Sequence, residues 1–198
     1  MYKFLKKSQF VKSIVDVKER PTDFNVEILF VGKSNVGKSS LINALTNNKK
    51  LAYTSSKPGH TRLLNYYKVE DKFYLVDAPG YGYSAQKGVD YKFYGNMVEG
   101  YFTDNQNLKL IVFLLDSRHE PTNDDLDFYN FLNEFNYKYV ICMTKCDKLN
   151  MSMKAKIKKN IKAKLGDDAL KNDILLVSAV EKESITALTD YILKIVEE

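Results

Sequence analysis

The 198-residue sequence has no tryptophan, two cysteines and, among its 30 basic residues, only three arginines: Arg20, Arg62 and Arg118. Cys142 and Cys146 are too few for a disulfide framework and lack the second ligand pair that a zinc site needs. They read as reduced thiols of a cytoplasmic protein. The longest apolar run, Leu110 to Leu115, is far too short to cross a bilayer, and the start, Met1 to Lys7, carries charge without an apolar stretch after it. Nothing in the chain targets a membrane. The net charge of +5 rests almost wholly on lysine, which permits a nucleic-acid or acidic-membrane partner without establishing either.

What is present is ordinary for a globular chain, with 44% hydrophobic and 28% charged residues, and the length suits one domain with short extensions. Residues 1–24 carry scattered apolar positions and end near Pro21, predicting an extension packed on the edge of a domain spanning 25–198. Strand-like and helical runs then alternate. Leu64–Glu70 and Phe73–Val76, joined at Glu70-Asp71-Lys72, predict a hairpin. Leu108–Leu115, apolar without a break from Leu110, and the apolar run Tyr139–Met143 predict strands covered on both faces, and Ile174–Val177 a further one. Helices are expected at about 90–102, 124–135, 151–165 and 184–196. The pattern predicts an α/β fold: a mostly parallel sheet with one antiparallel hairpin strand and helices on both faces. Ligands in such sheets bind at the carboxyl ends of strands.

One such end carries Gly32-Lys33-Ser34-Asn35-Val36-Gly37-Lys38-Ser39, between the apolar run Val26–Val31 and the helical run beginning near Lys38. This is G-x-x-x-x-G-K-[ST] in its required strand–loop–helix setting. The glycines let backbone N–H groups converge on phosphates, and the helix start aims its free N–H groups at the same anion. Lys38 is expected to reach the β- and γ-phosphates, and the Ser39 hydroxyl to join a Mg²⁺ shell with phosphate oxygens and water.

Asp77-Ala78-Pro79-Gly80 closes another strand. A carboxylate there holds Mg²⁺ through water, and the Gly80 N–H senses the γ-phosphate. Thr61, placed between the loop helix and the hairpin, supplies a second metal hydroxyl in the triphosphate state. Thr144-Lys145-Cys146-Asp147 follows a later strand. The Asp147 carboxylate suits the N1–H and 2-amino donors of guanine, the Lys145 stem covers the base plane, and Val177-Ser178-Ala179 offers backbone N–H groups to guanine O6. An unpaired carboxylate would penalise ATP. Each short motif alone has a bland reading as a charged turn; all of them in order, each at a strand end, point to GTP and GDP as ligands.

These residues resemble the EngB (YihA/YsxC) family of translation-factor-related GTPases, from about Phe10 to the C-terminus. The specific marks are the loop Gly32–Asn43, Pro58-Gly59-His60-Thr61, Asp77-Ala78-Pro79-Gly80-Tyr81-Gly82-Tyr83, Asp116-Ser117-Arg118-His119-Glu120-Pro121-Thr122 and Thr144-Lys145-Cys146-Asp147-Lys148-Leu149. The resemblance implies a Ras-like P-loop GTPase fold, Mg²⁺-dependent GTP binding with slow hydrolysis, and a monomeric, cytoplasmic switch in large ribosomal subunit assembly, described as needed for normal septation. It adds Gly59, His60, Arg62 and Leu63 to the expected nucleotide contacts. Three positions depart from the family's usual pattern: Tyr94 sits near an expected Trp, Arg62 stands where Gln is common and Ser184 where Gly is common.

Tyr81 occupies the position of the glutamine that orients water in Ras-like enzymes, so another group must align the water. Asn35 has two readings, as a residue that suits the turn and, by likeness to related GTPases, as a ligand for a K⁺ standing in for an arginine finger. With Lys38, Thr61 and Gly80 it completes the expected catalytic set. Arg118 and Arg62 read as structural or partner-facing. Tyr81, Tyr83 and Tyr91 either stack on a partner or pack internally. The helix 151–165 bears Lys154, Lys156, Lys158, Lys159, Lys162 and Lys164, either a solvated face or a surface for ribosomal RNA phosphates. A phosphotransferase acting on ATP and a non-hydrolysing, nucleotide-gated binding module are the competing functions.

Overall fold

A computed structural model describes residues 2–23, 25–53, 63–82, 100–103 and 105–198. Among these, seven strands form one sheet: β1 (Ser8–Ile14), β2 (Val26–Gly32), β3 (Leu64–Val69), β4 (Phe73–Asp77), β5 (Leu108–Asp116), β6 (Tyr139–Thr144) and β7 (Ile174–Leu176), in the order β1-β3-β4-β2-β5-β6-β7. Only β3 runs against its neighbours, antiparallel to both β1 and β4; the β2, β4, β5, β6 and β7 pairings are parallel. The predicted hairpin is β3–β4, with Val69 opposite Phe73. The N-terminal extension is more than packing: its Ser8–Ile14 segment is hydrogen-bonded into the sheet as the edge strand.

Alternation along the central strands explains why the sheet is covered twice. In β5, Leu110, Val112 and Leu114 join one buried layer while Ile111, Phe113 and Leu115 join the other. Helix α1 (Lys38–Leu45) and helix α4 (Lys182–Glu197) cover the first face through Leu41, Ile42, Leu45, Ile185, Leu188 and Ile192. Helix α2 (Asn123–Glu134) and helix α3 (Met151–Leu165) cover the second through Phe128, Leu132, Ile157, Ile161 and Leu165. Two helix starts are capped by side chains: Thr122 and Asp125 form a reciprocal capping box on α2, and Asn150 accepts from the Met153 N–H at 2.9 Å on α3. Of the helix expected at 90–102, only Gly100–Phe102 lie among the described residues, and they are helical. No helix of the described residues is long and apolar enough to cross a membrane.

Parallel wiring brings the ends of β2, β4, β5 and β6 to one edge. Phe30 is level with Asp77, Gly32 with Leu114, and Asp116 with Thr144. The motifs Gly32–Ser39, Asp77–Gly80, Asp116–Thr122 and Thr144–Asp147 open from that edge.

Candidate functional site

The phosphate loop leaves β2 at Gly32, where a Cβ would lie 2.8 Å from the Leu114 carbonyl oxygen and 2.9 Å from Val36 Cγ1. Only glycine fits between loop and β5. Gly37 caps α1 with φ +106°, a left-handed conformation that favours glycine, and so turns the first N–H groups of the helix toward the loop. Asn35 also lies in the left-handed region, at φ +64°, which asparagine tolerates better than most residues. The loop is braced from β6: Thr144 Oγ1 donates to the Val36 carbonyl at 2.7 Å and to the Leu115 carbonyl at 3.2 Å. Lys145 Nζ donates to the Asn35 carbonyl at 2.7 Å.

At the metal end, Lys38 Nζ pairs with Asp77 Oδ1, and Ser39 Oγ donates to Asp77 Oδ2 at 3.4 Å. Asp77 is buried, held in line by the Ala78 N–H bond to the Phe30 carbonyl at 3.1 Å. A hydroxyl and a carboxylate converging beside a phosphate loop are hard oxygen donors that fit Mg²⁺, which takes one or two protein ligands and completes its shell with phosphate and water. Among the described residues no group of three or more His, Cys, Asp or Glu side chains could hold a metal unaided. Gly80 lies against the loop so closely that a Cβ would meet the Ser34 Cα at 2.8 Å. Beyond it Tyr81 is stitched to the loop by two backbone bonds, Ser34 N–H to the Tyr81 carbonyl at 2.9 Å and Tyr81 N–H to the Gly32 carbonyl at 3.3 Å.

Of the two readings of Tyr81, the structure selects internal packing. Its ring stacks on Phe128, with centroids 5.5 Å apart, and its hydroxyl donates to Asp125 Oδ1 at 2.6 Å. Tyr83, Tyr91 and Tyr94 lie outside the described residues, as do Gly59, His60, Thr61 and Arg62; Leu63 is described and half-buried just before β3. Lys33 turns its side chain away from the loop, to Asp124 at 3.1 Å and Thr122 at 3.4 Å.

At the base end, Lys145 has φ +59° and starts a short 3₁₀ turn, Cys146–Lys148. Ser178 Oγ donates to Asp147 Oδ1 at 2.7 Å and Lys148 Nζ lies 3.1 Å from Oδ2. The Ser178 bond, helped by Lys148 and opposed by partial burial, holds the Asp147 carboxyl below its usual range, so it stays an acceptor. The expectation for Val177-Ser178-Ala179 narrows here. The Val177 N–H goes to the Met143 carbonyl at 2.9 Å and the Ser178 N–H to Ser184 Oγ at 2.9 Å, so of the three N–H groups expected to meet a base oxygen only that of Ala179 is uncommitted among the described residues. Ser184, where the family often has Gly, anchors that loop, donating also to the carbonyls of Ser178 and Glu181. Burial and a 3.4 Å bond to Glu181 push the Cys146 thiol up to about 11, so it remains a neutral donor under the base loop.

Sequence reasoning quoted Asp116 only as a mark of the family and gave it no role at the site. It accepts from Lys145 Nζ at 2.9 Å and from Arg118 Nε and Nη2 at 2.9 and 2.7 Å. Burial alone would raise its pKa, but Arg118 and Lys145 outweigh burial and hold it well below the usual carboxylate range. Arg118 is thereby structural, one of the two roles expected for it. The available signal was register: β5 and β6 pair Asp116 with Thr144, one residue before Lys145.

Comparison with known proteins agrees with this geometry. Residues 27–145 match the family described as 50S ribosome-binding GTPase. The chain is 46% identical over 170 residues to the probable GTP-binding protein EngB of Clostridium kluyveri, covering 84% of this chain and 86% of that one. Among solved structures, a probable GTP-binding protein engB superposes with a TM-score of 0.70 at 24% identity, over 87% of this chain and 99% of that chain. Era, in complex with MgGDPNP and nucleotides 1506–1542 of 16S ribosomal RNA, superposes with a TM-score of 0.61 at 26% identity, over 86% of this chain and 56% of that chain. A phosphate loop, the Ser39–Asp77 pair and Asp147 on one sheet edge accompany that likeness, and the chain belongs to the EngB family of GTP-binding GTPases.

Proposed function

We propose that this protein is a GTP-driven switch that hydrolyses GTP slowly with Mg²⁺ and acts, in the cytoplasm and as a monomer, in assembly of the large ribosomal subunit, with normal cell division depending on that role. The observation that carries the reading is the Lys38–Asp77–Ser39 cluster at one end of the edge and the Asp147–Ser178 pair at the other, spaced by the loop that cradles phosphates. A polyphosphate entering the loop competes for Lys38 and frees the Asp77 carboxylate. Mg²⁺ held there would supply charge neutralisation at the phosphates. Lys38 carries positive charge to the transferred phosphoryl group, Ser39 and Asp77 hold the metal side with Thr61, and the N–H groups of loop and α1 orient the chain of phosphates. Gly59, His60, Arg62 and Leu63 flank Thr61 on the segment that responds to the γ-phosphate.

Slow turnover follows from Tyr81. Its hydroxyl is engaged by Asp125, so no side chain in the glutamine position aligns water. The same observation favours a second reading, a nucleotide-gated binding module with negligible hydrolysis. Asn35, whose side chain has no hydrogen-bond partner among the described residues while its carbonyl holds Lys145, is the proposed site of a K⁺ that offsets the missing group. Ribosomal partnership is supported by the family description and by the Era complex with ribosomal RNA.

The test is sedimentation of purified protein with large-subunit precursor particles in GPPNHP and in GDP, with multiple-turnover phosphate release measured in parallel. The switch reading expects co-sedimentation with GPPNHP, loss with GDP, and more than one phosphate per protein. Nucleotide-gated binding with no turnover would select the binding module, and binding indifferent to nucleotide would overturn both.

A further inference from the structure

Helix α3 carries six lysines and no acidic residue in Met151–Leu165. Ile157, Ile161 and Leu165 bury one stripe against the sheet, and Lys156, Lys158, Lys159 and Lys162 occupy the exposed side. At helical spacing this sets like charges next to one another four times: Lys154 with Lys158, Lys158 with Lys162, Lys156 with Lys159, and Lys159 with Lys162. Such pairs weaken a helix. The two lysines of the last turn have local reasons to be there, since cations suit a helix C-terminus, Lys162 pairs with Asp167 at 2.7 Å and Lys164 donates to Asn123. Lys156, Lys158 and Lys159 have none: no carboxylate lies within ion-pair distance of them among the described residues.

The nearby acids are committed elsewhere. Asp124 holds Lys33, Asp125 is taken by Thr122 and Tyr81, Asp127 is likewise engaged, and Asp168 pairs with Lys171. The protein therefore bears the repulsion without relieving it. Lys156, Lys159 and Lys162 follow one another at helical spacing over about 9 Å of axis at ~1.5 Å per residue, a compact row of point charges flanked by Lys158. Lysine suits phosphate as a point charge, without the planar fork that reads base edges.

We infer that the exposed face of α3, centred on Lys156, Lys158 and Lys159, is a docking surface for the phosphate backbone of ribosomal RNA. This rests on the ribosomal reading above and names the part of the molecule that makes the contact. Binding through it is positional and sequence-independent, and it releases counterions. The nucleotide site lies at the sheet edge and shares none of these lysines, so RNA contact and GTP affinity are separable.

The experiment titrates salt-washed large ribosomal subunits, and separately protein-free large-subunit rRNA, with GPPNHP-loaded wild type, the K156E/K158E/K159E variant and the K156R/K158R/K159R variant. The Glu variant is expected to bind both targets on the order of 10²-fold more weakly at 0.1 M salt, with a slope of log K against log[salt] shallower by about 2 to 3. The Arg variant keeps wild-type binding, and all three keep the same GTP affinity. Wild-type and Glu variants binding rRNA with equal affinity and slope would overturn the inference. Wild type that binds free rRNA through these lysines but ignores subunits in every nucleotide state would keep it and sink the assembly reading instead. Loss in the Glu variant of binding to phosphatidylglycerol vesicles, with rRNA binding unchanged, would assign the face to a membrane and overturn it.

Discussion

The Tyr81 hydroxyl donates a 2.6 Å hydrogen bond to Asp125, the residue whose other oxygen accepts from the Thr122 N–H and hydroxyl at 2.7 and 2.8 Å. The residue after Gly80 is thus bolted to the cap of α2. Tyr81→Phe removes one bond to a buried carboxylate and keeps the ring stacked on Phe128. Urea unfolding should show a loss of about 1–2 kcal/mol. Because the hydroxyl points to Asp125, the single-turnover hydrolysis rate should stay within about twofold of wild type. A tenfold fall in that rate with unchanged stability would contradict this placement of the ring.

Asp116 positions Lys145 from the side while Arg118 fixes Asp116 through two nitrogens. Asp116→Ala leaves Lys145 tied only to the Asn35 carbonyl and should weaken GDP binding roughly tenfold, about 1.4 kcal/mol. The loss belongs to the base end. Displacement of a fluorescent nucleotide by GDP should therefore weaken while displacement by inorganic triphosphate does not. Equal weakening by both would mean that Asp116 supports the whole loop.

Asn35 separates the backbone demand from the side-chain chemistry. Asn35→Gly adopts φ +64° without strain and should keep GDP affinity within about twofold. Hydrolysis by wild type is expected to rise when NaCl is replaced by KCl, and the variant to lose that response. Identical rates for wild type in the two salts would leave Asn35 as a turn residue only.

Much of this was legible in the sequence for a physical reason. Leu110–Leu115 of β5 and Tyr139–Met143 of β6 are buried on both faces, so these apolar runs are unbroken, and the strand ends carry residue types that suit phosphate, metal and guanine chemistry together. β1 was not legible as a strand. Of its seven residues only Ile14 is fully buried, so Ser8–Ile14 has no apolar alternation, and its pairing rests on backbone bonds to β3. Side chains that act across the fold were hidden too. The Asp116–Lys145 contact depends on the register of two strands separated by a helix, and the turn of Lys33 toward Asp124 depends on where α2 begins. Tyr81 was ambiguous because an aromatic after a glycine serves a partner or the core equally well until Phe128 is seen beneath it.

The central claim is that Asp147 reads the base while the loop at Lys38 holds the phosphates. Binding of fluorescent GDP, XDP and ADP to wild type and to Asp147→Asn tests it most directly. The account predicts guanine-only binding by wild type and a shift toward xanthine in the variant, whose amide offers a donor where the base now carries an oxygen. ADP bound as tightly as GDP by wild type, or a variant that loses all three nucleotides alike, would contradict it.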